Sequence, residues 1–145
     1  MIRKILLIED NPDDIALTKQ AIEKSGFEHE LVVITDGKEA LDYILRQGKY
    51  SDLQNKDRPD LIILDLNIPM IHGFDLLEKL KSDEQARVIP TIILTISNSD
   101  TDVIRSYELG ACSCIRKRIS IPEFEEAIRD IMTYWFNYTK LPPRN

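Results

Sequence analysis

Three carboxylates and two further polar side chains stand where they could handle a phosphoryl group. Glu9 and Asp10 directly follow the apolar run Ile5–Ile8, and Asp65 directly follows Leu61–Leu64. Three acids brought together cannot all stay ionised without a counter-charge. A hard cation, Mg²⁺ before others, would supply it through carboxylates, a carbonyl and water. Thr95 closes the run Thr91–Leu94, and Lys117 closes Cys112–Arg116. A hydroxyl and an ammonium beside a cation are what phosphoryl oxygens require, with Asp65 as the nucleophile that becomes an acyl phosphate. Each residue also has a plainer reading. An acid after a strand commonly caps a loop, Thr95 suits a strand, and Lys117 lies in the basic stretch Arg116–Arg118. The coincidence of all of them at the ends of apolar runs favours a site.

The elements that must position these residues alternate along the chain. Ile5–Ile8, Leu31–Ile34, Leu61–Leu64 and Ile92–Leu94 are short runs of Ile, Leu and Val, and Cys112–Arg116 is a weaker fifth. Such runs suit strands buried on both faces of a parallel sheet. Helical patterns with start signals lie between them. Asn11-Pro12-Asp13-Asp14 offers a cap, an early proline and acids facing the helix dipole. Asp36 to Glu39 forms a capping-box pattern, and a third helix follows Gly73. A fourth spans about Asp100 to Leu109, and Ser120-Ile-Pro-Glu123 opens the last. The order is α/β, (βα)₅, with helices on both faces of the sheet. If strands one and three are neighbours, the three acids converge beyond their carboxyl ends, where open α/β sheets bind ligands. Residues 47–58 read as a polar, solvated surface loop.

Composition narrows the function classes. The 145 residues carry a formal net charge of −6, which disfavours nonspecific nucleic-acid binding. No apolar run is long enough to span a membrane, and the N-terminus meets acids too soon for a signal peptide, so a cytoplasmic location is expected. The two cysteines, Cys112 and Cys114, read as small strand residues; with His29 and His72 isolated, no zinc pattern forms.

Ile8–Asp14, Leu64–Gly73, Leu94-Thr95 and Lys117 together resemble the receiver domains of two-component response regulators, across nearly the whole chain. The resemblance implies a flavodoxin-like doubly wound sheet of strand order 2-1-3-4-5 over residues 1–138, with 139–145 as a tail. It implies Asp65 as phosphoacceptor, Glu9, Asp10, Asp65 and the Asn67 carbonyl as the Mg²⁺ site, Thr95 as switch hydroxyl and Lys117 as phosphate-binding lysine. The implied partner is a sensor histidine kinase. The start Ile8–Asp14, the long connection before strand three and the end Tyr134–Pro143 further resemble stand-alone phytochrome-associated regulators, some of which form homodimers.

Three positions depart from the family pattern. Ile96 stands where a small residue usually follows the threonine, Cys114 where an aromatic precedes the lysine, and Arg118 where a cis-linked proline follows it. They keep open a receiver impaired in phosphorylation that works as a constitutive binding module. A Mg²⁺-dependent aspartyl phosphohydrolase is disfavoured, because Asn67 stands where a general acid would be needed. A flavin carrier is disfavoured because no Ser/Thr/Gly-rich loop follows the first strand. In the last helix, Trp135 continues the stripe of Phe124, Ile128 and Ile131. At about 100° per residue, Tyr134, Phe136 and Tyr138 then point elsewhere, as an interface between copies or as a tail folded back.

Overall fold

Five apolar runs become five parallel strands in the computed structural model, which describes residues 2–117 and 120–144. The strands are β1 (Arg3–Ile8), β2 (His29–Ile34), β3 (Leu61–Asp65), β4 (Thr91–Thr95) and β5 (Ser113–Arg116), in sheet order β2-β1-β3-β4-β5. The helices are α1 (Pro12–Lys24), α2 (Gly37–Leu45), α3 (Gly73–Ser82), α4 (Asp100–Glu108) and α5 (Ile121–Thr133). Every residue of the inner strands β3 and β4 is buried, while the edge strands β2 and β5 are mostly half-buried. That gradient explains why β5 is the weakest run in the sequence.

Alternation of side chains along each strand divides the core into two layers. Leu6, Ile8, Ile62, Leu64 and Ile93 face α2 and α3, where Ala40, Ile44, Leu76, Leu77 and Leu80 close over them. Ile5, Leu7, Ile63, Ile92 and Leu94 face the other way, toward Ala21 and Ile22 of α1 and Phe124, Ile128 and Met132 of α5. Each fully buried Leu or Ile contributes roughly 1.5–3 kcal/mol by leaving water. By contrast α4 buries only Ser106 and rests against β5.

Two expectations need correction. Residues 47–58 are not merely a solvated loop: they form 3₁₀ turns at Gly48–Tyr50 and Asn55–Asp57, and Tyr50 and Leu53 pack against the α2/α3 layer. The Tyr50 ring meets Tyr43 edge-on at 5.1 Å, and its hydroxyl donates to Glu39. Phe136 also turns inward rather than outward. After α5 the backbone makes one π-helical turn over Tyr134–Tyr138, and Thr139 N–H donates to the Tyr134 carbonyl. The wider turn changes the helical phase, so Trp135 and Phe136 both reach the α1/α5 layer, with Phe136 edge-on to Phe27. Tyr134 and Tyr138 stay outside, 56% and 77% exposed.

The segment after α5 folds back beneath the sheet. Leu141 is buried, and Arg144 pairs with Asp60 at 3.2 Å while donating to the carbonyls of Ile2, Lys56 and Arg58. Asp60 in turn accepts from Lys4 N–H.

Candidate functional site

The parallel pairing of β1 with β3 puts Ile8 beside Leu64, so the acids that follow them emerge together. Glu9 is buried and held by its neighbours: Glu9 N–H donates to the Ile34 carbonyl, and Oε2 accepts from Asp10 N–H. Asp65 is buried and accepts from Asn67 N–H at 3.2 Å, whereas Asp10 is exposed. One oxygen from each of Glu9, Asp10 and Asp65 lies within 4.8 Å of the others. Among the described residues no other group of acids, histidines or cysteines is placed to hold a metal ion.

The loop after Asp65 depends on a close backbone approach. Gly73 opens α3 and donates its N–H to the Leu66 carbonyl; a β-carbon there would lie 2.5 Å from Leu66 Cα. Met70 takes a φ of 75° in the same turn. This fold-back sets Asn67 at the rim, with its backbone beside Asp65.

Thr95 and Lys117 complete the group from β4 and the end of β5. Thr95 is buried, its Oγ1 accepts from Ser97 N–H, and its carbonyl accepts from Lys117 N–H. Lys117 Nζ lies 2.5 Å from Glu9 Oε1, 2.6 Å from Asp14 Oδ2 and 3.4 Å from Asp65 Oδ2. Burial opposes its charge, but hydrogen bonds to Asp14 and Glu9 and the field of Asp65 outweigh it and hold the ammonium above the usual lysine range. For Glu9 the balance falls the other way. Burial, together with the neighbouring Asp65 carboxyl, exceeds the pull of Lys117 and pushes its carboxyl up to about 7. One ammonium therefore does not neutralise the cluster, and the remaining hard oxygen donors fit a divalent cation.

These groups open onto a cavity of about 580 Å³ lined by Asp10, Asp14, Asp65, Asn67, Ile96 and Lys117. Ile96 stands at its mouth, 46% exposed. Cys114 lies away from it, half-buried; burial pushes its thiol up, and its N–H donates to the Tyr107 hydroxyl at 3.3 Å. Arg118 falls outside the described residues. Tyr134, Phe136 and Tyr138 belong to the turn after α5 and take no part in the site.

Sequence reasoning missed Asp14 as a member of the group. Its only local signal was that of an acid in the first turn of α1 behind the Asn11-Pro12 cap, which the helix dipole already accounts for.

Comparison with known proteins agrees with this geometry. A family model described as the response regulator receiver domain matches residues 5–129. Response regulator Rcp1 of Synechocystis sp. is 34% identical over 138 residues, covering 95% of this chain and 92% of that protein. The crystal structure of the phosphorylated cyanobacterial phytochrome response regulator RcpA superposes with a TM-score of 0.90 at 35% identity, covering 99% of this chain and all of that one. The Mn²⁺-bound form of Rcp1 gives a TM-score of 0.88 at 33% identity, covering 97% of this chain and 99% of that one.

Proposed function

Because the chain belongs to the response regulator receiver domain family, we propose that it accepts a phosphoryl group from a histidine kinase onto Asp65 and signals through protein contacts. The observation that carries this reading is the buried Asp65 carboxylate, grouped with Glu9 and Asp10 and faced by Lys117 Nζ at 3.4 Å. A Mg²⁺ ion would be held by Glu9, Asp10, Asp65 and the Asn67 carbonyl, and when bound it supplies positive charge against the phosphoryl oxygens.

The chain's own groups have separable tasks. An Asp65 oxygen attacks phosphorus of the donor phosphohistidine; the new P–O bond forms as the P–N bond breaks, and the departing imidazole takes a proton from solvent. Asn67 N–H, which now donates to Oδ1, orients the carboxylate. Lys117 neutralises phosphoryl charge, and the Thr95 hydroxyl donates a hydrogen bond to a phosphoryl oxygen. Asn67 offers an amide rather than an acid, so no second carboxyl stands two residues on to drive phosphohydrolase turnover.

The partner is read as a phytochrome-type sensor kinase in the cytoplasm, supported by the likeness to Rcp1 and RcpA. A homodimer is part of the same reading: Ile104 and Tyr107 on α4, Ile121 on α5 and Tyr134 beyond it are large apolar side chains at least half exposed. No helix among the described residues is long and apolar enough to cross a membrane.

The test is labelling by acetyl phosphate, followed by intact mass. Wild type with Mg²⁺ gains one phosphoryl group, while Asp65→Asn and a chelated sample gain none. Equal labelling of Asp65→Asn would remove the assignment.

A further inference from the structure

We propose that Asp14 is a positioning residue: it holds the Lys117 ammonium beside Asp65 before phosphoryl transfer, and competes with the transferred group for that ammonium afterwards. The inference rests on reading Asp65 as the phosphoacceptor and adds a residue outside the acid trio that could hold a metal ion.

Lys117 has three N–H donors and three carboxylate partners. Glu9 and Asp14 hold it at 2.5 and 2.6 Å, while Asp65 is further off at 3.4 Å. A phosphoryl group on Asp65 enters the cavity that Asp14 also lines; it takes the donor that faces Asp65 at 3.4 Å and, in drawing the ammonium closer, lengthens one of the two short contacts. Glu9 is poorly placed to yield. It is fully buried, and its other oxygen is pinned by Asp10 N–H. Asp14 can yield, because its side chain is 35% exposed and water can replace the lost contact.

The backbone that carries Asp14 is fixed. Asn11 Oδ1 accepts from the N–H groups of both Asp13 and Asp14, Pro12 begins the helix, and the Asp14 carbonyl accepts from the Thr18 hydroxyl. Asp14 therefore presents its carboxylate to Lys117 at a fixed height on α1, and only its side chain needs to turn away. Its pull on Lys117 opposes the phosphoryl group and shortens that group's stay.

Beryllofluoride titration of the full chain at saturating Mg²⁺, followed by ¹⁹F NMR, tests this. Asp14→Asn should bind the mimic about tenfold more tightly than wild type, equivalent to about 1.4 kcal/mol. Asp14→Glu should return the midpoint to near the wild-type value. Asp13→Asn makes the same charge change on an exposed neighbour, and should leave the midpoint within twofold. Equal or weaker binding by Asp14→Asn would overturn the proposal, as would an equal gain in Asp13→Asn, which would reduce the effect to net charge. Failure of wild type to bind the mimic at all would instead overturn the phosphoacceptor reading, and this inference with it.

Discussion

Replacing Glu9 by Gln should stabilise the metal-free protein at pH 8. Burial and the Asp65 carboxyl raise the Glu9 pKa from 4.5 to about 7. The folded state thus binds this proton more tightly than the unfolded state does. The stabilisation from proton binding is complete below pH 4.5 and is lost as pH rises through about 7. Above that, ionised Glu9 costs about 3 kcal/mol relative to its neutral form. Gln keeps the shape and removes the charge. Lys117 retains Asp14 and Asp65 but loses its shortest contact, which offsets part of the gain. A net stabilisation of roughly 1–3 kcal/mol is expected at pH 8, shrinking toward zero by pH 5. Urea unfolding in EDTA at both pH values reads it directly. Added Mg²⁺ should stabilise wild type and not the variant. A variant less stable than wild type at pH 8 would mean that the Lys117–Glu9 ion pair outweighs the burial of the carboxylate, and the reasoning would fail.

Three other outcomes are expected. Gly73→Ala drives a β-carbon to 2.5 Å from Leu66 Cα; it should lose roughly 2–4 kcal/mol in urea unfolding and weaken Mg²⁺ binding by displacing the Asp65–Asn67 turn. Ile96→Ala opens the cavity mouth, and the acyl phosphate should hydrolyse several-fold faster as water gains its line of approach; an unchanged or longer lifetime by intact mass would place the side chain out of that line. Phe136→Ala should cost roughly 2–3 kcal/mol of stability through its lost packing on Phe27, while the mass by light scattering stays that of wild type.

How much the sequence revealed depends on how local each signal was. Strands β1, β3 and β4 are continuous apolar runs because both faces are covered, and the acids that follow them are legible at once. Glu9, Asp10, Asp65 and Lys117 meet because parallel strands share one carboxyl end, so topology alone brought them together. Asp14 escaped notice because its role depends on how far the lysine side chain reaches across the cavity, which no spacing encodes. The fate of Phe136 was equally hidden. A straight α-helix would have turned it outward, and the π turn that redirects it carries no signature in Tyr134–Tyr138. The polar stretch 47–58 disguised Tyr50 and Leu53, two apolar contacts too isolated to show a period.

The clamp of Arg144 on Asp60 ties the last part of the chain to its first strand. Lys4 N–H donates to the Asp60 carboxylate, and Asp60 N–H to the Lys4 carbonyl, so β1 and the entry to β3 are latched at the end of the sheet remote from Glu9 and Asp65. Protease nicking after Leu141 would strip the guanidinium from a carboxylate whose side chain is 1% exposed. The amides of Lys4 and Asp60 would then exchange by local fraying rather than with the whole domain. Hydrogen exchange at those two amides is thus a gauge of whether the end of the chain is seated, read some distance from Glu9, Asp10 and Asp65.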